Sequence, residues 1–203
     1  MHRKLGMIIG IIIFILILCC TYTNQTNVKK SDNMSDSNTV GNTEIKQGEI
    51  IYRGKLPMPI ENFIQVTSKF GYRNPVYNSQ GIQISGGKLH TGIDLCGSLG
   101  SNVMAVKEGE VTHAGWQGGY GNCVEIKHID EQGNSFYSFY AHMRDNSICV
   151  QKGQNVITGQ VIGTQGSTGN STGDHLHFEI RTKSGSNQYA IDPAPYIFTE
   201  KWR

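Results

Sequence analysis

The chain has 203 residues, a formal net charge of +2 and 17% charged residues. So small an excess of positive charge, with no basic stripe along the sequence, argues against a nucleic-acid partner. The composition is not uniform, because an apolar block, a polar block and a glycine-rich block follow one another.

The chain begins with a membrane-targeting pattern. Residues 5 to 20 are uncharged and almost entirely apolar, and two basic residues come directly before them. A basic start followed by an apolar run is typical of a secretory signal or a membrane anchor. We expect residues 1 to 20 to be an uncleaved anchor in the cell membrane, with the rest of the chain extracytoplasmic. The alternative is a lipoprotein signal that is cut before Cys19 or Cys20, although neither cysteine follows a small residue.

A polar block separates this segment from the remainder of the chain. Residues 21 to 50 are crowded with Thr, Asn, Ser, Asp, Lys and Gln. Such a stretch cannot bury enough apolar surface to offset the entropy of ordering, so we expect a flexible linker. About 150 residues remain, residues 51 to 203, which are enough for one domain with a hydrophobic core.

The domain is predicted to be all-β, a compact antiparallel sheet or sandwich. Short alternations of apolar and polar residues, separated by turns and glycines, are typical of antiparallel strands. The predicted strands are a hairpin of residues 103–106 and 110–114, then 123–128, then 136–143 after a turn at 131–134, and finally 175–182. No long amphipathic helix pattern accompanies them.

The cysteines and two of the histidines do not indicate a functional site. Cys96, Cys123 and Cys149 are an odd number in the domain, so they cannot all pair with one another. A disulfide between Cys123 and Cys149 and a pair of small buried thiols are both compatible with the sequence. His113 and His128 lie in ordinary strand patterns and are expected to be structural or surface residues.

His175 and His177 are two residues apart in the last predicted strand. Side chains alternate across a strand, so both imidazoles point to one face, while Leu176 and Phe178 point to the other. Two imidazoles side by side suit a metal or acid–base site better than a core. The pair alone is a weak indication, because chance surface pairs are common.

His90, Asp94 and His142 add to this pair. His90 and Asp94 stand in HTGID, which we expect to be a loop running into a strand, and Asp94 taken alone is better explained as a turn cap. His142 ends the aromatic strand, and taken alone it is best explained as a partly buried histidine with a backbone partner. Together with the histidine pair, these residues can supply the three protein ligands of a catalytic zinc site and leave an imidazole for acid–base chemistry.

A loop of small residues leads directly into the histidine pair. Residues 166 to 173 read GSTGNSTG and lack the Gly-Lys-[Ser/Thr] ending of a phosphate-binding loop, so nucleotide binding is not expected. Small side chains there would leave an open groove beside the metal. Spacing alone therefore predicts a metal site in a β domain and does not name a substrate.

Several ordered motifs between residues 59 and 198 resemble the lysostaphin/LytM-type zinc endopeptidases, which cut peptide cross-links in bacterial cell walls. The motifs that resemble landmarks of this family are Phe70-Gly71-Tyr72-Arg73, His90-Thr91-Gly92-Ile93-Asp94-Leu95, Gly119-Tyr120-Gly121-Asn122, Tyr140-Ala141-His142, Gly166-Ser167-Thr168-Gly169, Gly173-Asp174-His175-Leu176-His177-Phe178-Glu179 and Asp192-Pro193. Cys96 stands where an unremarkable small residue is expected, and a role for it at the metal is a minor alternative.

The resemblance implies a compact antiparallel β domain and a role for each candidate residue. His90, Asp94 and His177 would bind Zn²⁺, and His142 and His175 would be catalytic. The implied reaction is hydrolysis of an amide bond in peptidoglycan stem peptides or cross-bridges, by water that the metal activates. His175 would take the proton of that water and His142 would hydrogen-bond the developing oxyanion, or the two would exchange roles.

Two other functions fit the same residues. A non-catalytic wall-binding or scaffold protein on this fold would need none of the five site residues, all of which are present. A metal-binding regulatory module unrelated to cell walls would explain neither the additional histidines nor the targeting segment. The sequence does not decide between a glycine bridge and a direct stem-peptide linkage as the bond that is cut.

Overall fold

The computed structural model describes residues 56 to 198. The membrane segment at residues 1 to 20 and the linker at residues 21 to 50 lie outside this part of the chain, so both stay predictions. Within residues 56 to 198, no helix is long and apolar enough to span a membrane.

The described residues fold mainly into short strands, with one short helix. The strands are β1 (Phe63–Ser68), β2 (Gly71–Arg73), β3 (Val76–Tyr77), β4 (Gln83–Ser85), β5 (Lys88–His90), β6 (Ile93–Gly97), β7 (Asn102–Met104), β8 (Gly109–Trp116), β9 (Asn122–Ile129), β10 (Ser135–Met143), β11 (Asn155–Val156), β12 (Val161–Thr164), β13 (Leu176–Arg181) and β14 (Ala190–Ile191). The helix α1 spans Ala194–Ile197, and 3-10 turns cover Gly118–Tyr120 and Asn187–Tyr189.

Most of these strands join one sheet. Its order is β1-β6-β13-β10-β9-β8-β11, and β14 pairs with the end of β13. Three two-stranded ladders, β7 with β12, β2 with β5 and β3 with β4, lie outside it. Every pair of these strands is antiparallel, which confirms the predicted all-β class for the described residues.

Strand β13 is buried on both faces of the sheet. Its apolar side chains pack into the main hydrophobic core: Leu176, Phe178 and Ile180. Full burial of one such side chain stabilises the fold by about 1.5–3 kcal/mol. The alternate side chains are polar, and one of them, Arg181, lies over the ring of Phe139 in a second, smaller cluster. The main hydrophobic core therefore stabilises one face of β13, and the polar side chains on the opposite face can form a functional site.

One predicted pairing is wrong. We expected residues 103–106 and 110–114 to form a hairpin, but β7 pairs with β12, and β8 pairs with β9 and β11. Residues 105–108 instead carry the chain from one ladder to the next. A Cβ atom on Gly109 would lie 2.1 Å from the Lys127 carbonyl oxygen, so close packing against β9 explains this glycine without a hairpin turn.

The other predicted strands are confirmed as β9, β10 and β13, and His128 proves to be structural. Its ring is fully buried, donates from Nδ1 to the Glu108 carbonyl at 2.9 Å and accepts from Ser138 Oγ at 2.7 Å. Burial lowers the pKa of His128 to about 4.

Cys123 is a free, buried thiol, so the alternative disulfide with Cys149 does not form.

Candidate metal and catalytic site

The three predicted metal ligands converge on one point. Asp94 on β6 is the direct cross-strand partner of His177 on β13, and His90 ends β5, with two residues between it and the start of β6. The atoms His90 Nε2, Asp94 Oδ1 and His177 Nδ1 lie 3.0, 3.0 and 2.9 Å from one another. Gly92 makes this convergence possible, since a Cβ there would lie 2.9 Å from His177 Cε1.

The outward-facing atoms of the three residues are held by hydrogen bonds. His90 Nδ1 donates to the Lys69 carbonyl at 2.8 Å, and His177 Nε2 donates to Glu179 Oε1 at 2.9 Å. Each imidazole therefore turns an unprotonated nitrogen inward when it is neutral. Asp94 Oδ2 accepts from Arg73 Nη2 at 3.0 Å, which leaves Oδ1 for the centre of the cluster.

The donor set fits a zinc ion. Two unprotonated imidazole nitrogens and a carboxylate oxygen about 3 Å apart repel one another unless a cation or a proton lies between them. In a tetrahedral zinc site with bonds of about 2.0–2.1 Å, the ligand atoms lie about 3.3 Å apart. Burial alone would raise the pKa of Asp94, but its hydrogen bonds with His177 and His90 hold that pKa well below its ordinary value. The carboxyl group is therefore ionised, as a metal ligand must be.

His142 reaches the site through an irregular backbone. Ala141 is the cross-strand partner of His177, so regular alternation would point His142 to the opposite face. Instead His142 has a φ of +59°, at a register shift near the end of β10. Its ring lies 5.8 Å from the ring of His177, and its Nδ1 donates to the Thr168 carbonyl at 2.7 Å. Burial lowers the pKa of His142 to about 4.

His175 faces the same space from the other side. Its Nδ1 donates to the Gly173 carbonyl at 2.8 Å, and its Nε2 lies 3.7 Å from Asp94 Oδ1. The rings of His175 and His142 are 4.9 Å apart. As predicted from strand alternation, His175 and His177 lie on the same face. Both additional histidines thus present Nε2 beside the cluster.

The cluster lies at the floor of an open groove of about 390 Å³. Asn170, Ser171 and Thr172 line this groove, so the small-residue loop at 166–173 borders the site as expected. The loop packs closely against the end of β10. A Cβ atom on Gly166 would lie only 2.5 Å from the backbone nitrogen of Arg144, the residue that follows β10. The groove therefore connects His90, Asp94 and His177 to solvent.

A buried carboxylate lies behind His177, one of the predicted metal ligands, and the residue patterns did not predict its role. Glu179 Oε1 accepts hydrogen bonds from His177 Nε2 at 2.9 Å, from the Tyr120 hydroxyl at 2.9 Å and from Thr91 Oγ1 at 2.6 Å. Its Oε2 accepts from Arg181 Nε at 2.6 Å. A carboxylate behind a metal-binding histidine fixes its tautomer and orientation.

The support continues to β9, two strands away from β13 in the sheet. Arg181 Nη1 donates to Glu125 Oε1 at 3.0 Å. Burial would raise the pKa of Glu179, but the hydrogen bond with His177 and the charge of Arg181 lower it to about 2. The sequence contains a pattern that could have predicted these buried polar residues. Polar side chains continue at every second position of β13 from His177 to Arg181.

Cys96 does not join the cluster. Its Sγ lies 3.4 Å from the Gly97 carbonyl oxygen and 3.9 Å from that of Asp174. Within residues 56 to 198, the one group of three residues able to share an ion is His90, Asp94 and His177. The catalytic and metal-binding roles of the five site residues stay predictions, and the structure brings all five side chains together.

Comparisons with known proteins add relatives to this geometry. The sequence model of peptidase family M23 matches residues 88 to 193. The DD-carboxypeptidase/endopeptidase Mpg of Neisseria meningitidis is 42% identical over 120 residues, or 59% of this chain and 25% of that protein. The glycyl-glycine endopeptidase ALE-1 of Staphylococcus capitis is 38% identical over 121 residues, or 60% and 32%. The murein hydrolase activator NlpD of Salmonella dublin is 42% identical over 107 residues, or 52% and 26%.

Solved structures show the same fold. The catalytic domain of lysostaphin from Staphylococcus simulans has a TM-score of 0.54 at 33% identity, covering 66% of this chain and 91% of that domain. A zinc-containing peptidase from Vibrio cholerae has a TM-score of 0.53 at 26% identity, covering 71% and 40%. This chain thus spans about a third or less of the three curated relatives but nearly all of a single catalytic domain.

Proposed function

The chain belongs to peptidase family M23, and from that premise we propose that it is a zinc-dependent endopeptidase that hydrolyses peptide cross-links of bacterial peptidoglycan. One observation supports this proposal above all others. Two imidazole nitrogens and a carboxylate oxygen meet within about 3 Å at the floor of an open groove, with two further imidazoles beside them.

His90, Asp94 and His177 would hold the zinc ion. When bound there, zinc would lower the pKa of water to about 7 and polarise the scissile carbonyl. The hydrogen bonds from His90 to Lys69 and from His177 to Glu179 keep both ligand rings in the required tautomer. The remaining chemistry falls to side chains of this chain.

His175 and His142 are equipped to move protons. Each uses its Nδ1 proton for a backbone carbonyl, so each presents an Nε2 lone pair to the groove when neutral. His175 would accept the proton of the attacking water and pass it to the departing amine. His142 would orient that water or, once protonated, donate to the oxyanion, and the symmetry of the two arrangements allows the roles to be exchanged.

The substrate class comes from the relatives. Mpg is named as a DD-carboxypeptidase/endopeptidase and ALE-1 as a glycyl-glycine endopeptidase. Both names describe enzymes that cut peptides, and an open groove with Asn170, Ser171 and Thr172 along one wall leaves room for an extended peptide chain. Residues 1 to 20 would anchor the protein in the cell membrane, with the catalytic domain on the outer side, where peptidoglycan lies.

Digestion of isolated peptidoglycan tests the proposal. The full chain, purified in detergent, is incubated with wall peptides as prepared, with a zinc chelator, and with zinc added back. We expect new amino and carboxyl termini, identified by mass spectrometry, that disappear with the chelator and return with zinc. Absence of cleavage by the zinc-loaded chain would overturn the enzyme assignment.

One observation favours a second candidate function, that of a non-catalytic wall-binding or scaffold protein. The relative NlpD, at 42% identity over 107 residues, is named as a murein hydrolase activator. Such a protein would bind the wall or a hydrolase without using the histidine pair. If the chain stimulates a separate wall hydrolase equally well after His142→Ala and His175→Ala substitution, and cuts nothing itself, this second candidate is correct.

A further inference from the structure

Two basic side chains stand together at one end of the groove. Arg73 on β2 and Lys88 on β5 are direct cross-strand partners, and both line the groove. Like charges directly opposite each other on antiparallel strands destabilise the pair. Such an arrangement gains stability when an anion binds between or beside the two cations.

The two cations differ in how far they are already neutralised. Arg73 Nη2 lies 3.0 Å from Asp94 Oδ2 and also donates to Ser68 Oγ at 2.6 Å. Within residues 56 to 198, no hydrogen bond or ion pair engages the exposed Lys88 ammonium, and Asp94 is the one acidic residue among those that line the groove. The charge of Lys88 therefore has no partner in its surroundings there.

Strand geometry places the Lys88 side chain on the same side of β5 as His90, facing the groove. Lys88 and His90 are two residues apart on β5, so their side chains leave the same face of the strand. Their Cα atoms are about 7 Å apart at the rise of a β-strand. An extended peptide also advances about 3.5 Å per residue. If such a peptide runs alongside β5, Lys88 would meet a group about two residues from the bond that lies at His90.

We propose that Lys88 binds a free carboxylate on the substrate peptide, about two residues from the scissile bond. This inference rests on the proposed function and extends it to the class of cross-link. Peptides with such a carboxylate are preferred over the same peptides with that carboxylate amidated, and over uncharged oligoglycine. The carboxylate belongs either to an acidic side chain or to the carboxyl terminus of the peptide, since both offer the same ligand atoms.

Four synthetic peptides and three variants of the full chain test the inference. The first peptide has an acidic side chain two residues from the cleavable bond, the second has a free carboxyl terminus at that position, the third is amidated at both places, and the fourth is oligoglycine. We compare the zinc-loaded protein with Lys88→Met, which keeps the apolar stem, and with Lys88→Arg, which restores the charge. Lys152→Met is the matched control, because Lys152 is exposed and does not line the groove.

The expected result is a preference of about three- to tenfold in kcat/KM for one carboxylate peptide over its amidated form. Lys88→Met should abolish this preference through KM, Lys88→Arg should restore it, and Lys152→Met should leave it intact. Added salt should weaken the preference, because the groove is open to solvent. Whichever acid, side-chain or terminal, shows the effect identifies the source of the carboxylate.

Binding measurements separate this inference from the proposed function. Affinities for the four peptides are measured by calorimetry on the zinc-loaded His175→Ala chain, in which turnover should be slower by about 10²–10⁴-fold. Equal affinities for acid and amide, or a preference that survives Lys88→Met, overturn the inference while cleavage by the unmodified chain still upholds the enzyme. If binding shows a preference that depends on Lys88 but the unmodified chain cleaves none of the peptides, the inference about the groove is upheld and the proposed hydrolysis is overturned.

Discussion

The metal-ligand cluster and the histidine pair beside it are built in different ways. Asp94 and His177 stand on regular, directly paired strands, and their positions follow from register and alternation. His142 itself has a φ of +59°. His175 ends the loop before β13, and its backbone forms an isolated bridge with Gly166. Regular strands thus place Asp94 and His177, two of the predicted metal ligands, whereas His142 depends on a left-handed residue and His175 on the loop before β13.

This difference has a physical reason. A metal site needs ligand atoms fixed within a few tenths of an ångström, which buried and paired strands provide. The proton-moving groups must face the open groove, and a regular residue at position 142 of β10 would face away from it. A left-handed backbone at a non-glycine residue costs about 1–3 kcal/mol, and the hydrogen bond from His142 to Thr168 helps to offset that strain.

The largest expected effect concerns the ligands. We predict that His177→Ala abolishes both zinc binding and cleavage, since only two ligands would remain on the strands. Zinc content measured by mass spectrometry and hydrolysis of wall peptides check this prediction. Full zinc occupancy in the variant would show that His177 is not a ligand.

The next effect separates the two regions. His142→Ala or His175→Ala should retain zinc and lower kcat by about 10²–10⁴-fold, the usual contribution of a general acid or base. Zinc stoichiometry and steady-state kinetics are measured on the same preparations. If either variant lost zinc along with activity, the division between metal ligands and proton-moving histidines would be wrong.

A smaller effect is expected at Glu179, which lies behind His177. Glu179→Gln should weaken zinc binding by about 10–100-fold, because it removes the charged acceptor behind His177. Glu125→Gln is the matched control, since it disturbs the same buried Arg181 without touching His177. Competitive chelator titration should show weaker binding only for the first variant, and equal affinities in both would refute this role of Glu179.

How far the sequence predicts this molecule follows from the same contrast. Period-two alternation predicted β9, β10 and β13 and the shared face of His175 and His177. It failed for the hairpin at 103–114, because nothing local distinguishes a turn glycine from Gly109, which is packed tightly against β9. It also could not place the ring of His142, since a left-handed residue at a register shift reverses the face that alternation assigns.

The last prediction lies outside both regions and concerns the stability of the fold rather than the site. The buried His128 has a pKa lowered to about 4 by burial, against about 6.5 when unfolded, so the unfolded chain binds the additional proton between these values. Burial of the neutral His128 ring therefore costs no stability above pH 6.5. As the pH falls toward 4, protonation of the unfolded chain lowers the free energy of unfolding by up to about 3 kcal/mol. Denaturant unfolding across this pH range should show a shallower loss for His128→Gln, and identical slopes would contradict the prediction.

X-ray absorption at the zinc edge of the zinc-loaded full chain tests the central claim most directly. We predict four nitrogen or oxygen ligands at about 2.0–2.1 Å, with the outer scattering of two imidazole rings. A sulfur ligand at about 2.3 Å, or fewer than two imidazoles, would contradict a site built from His90, Asp94 and His177.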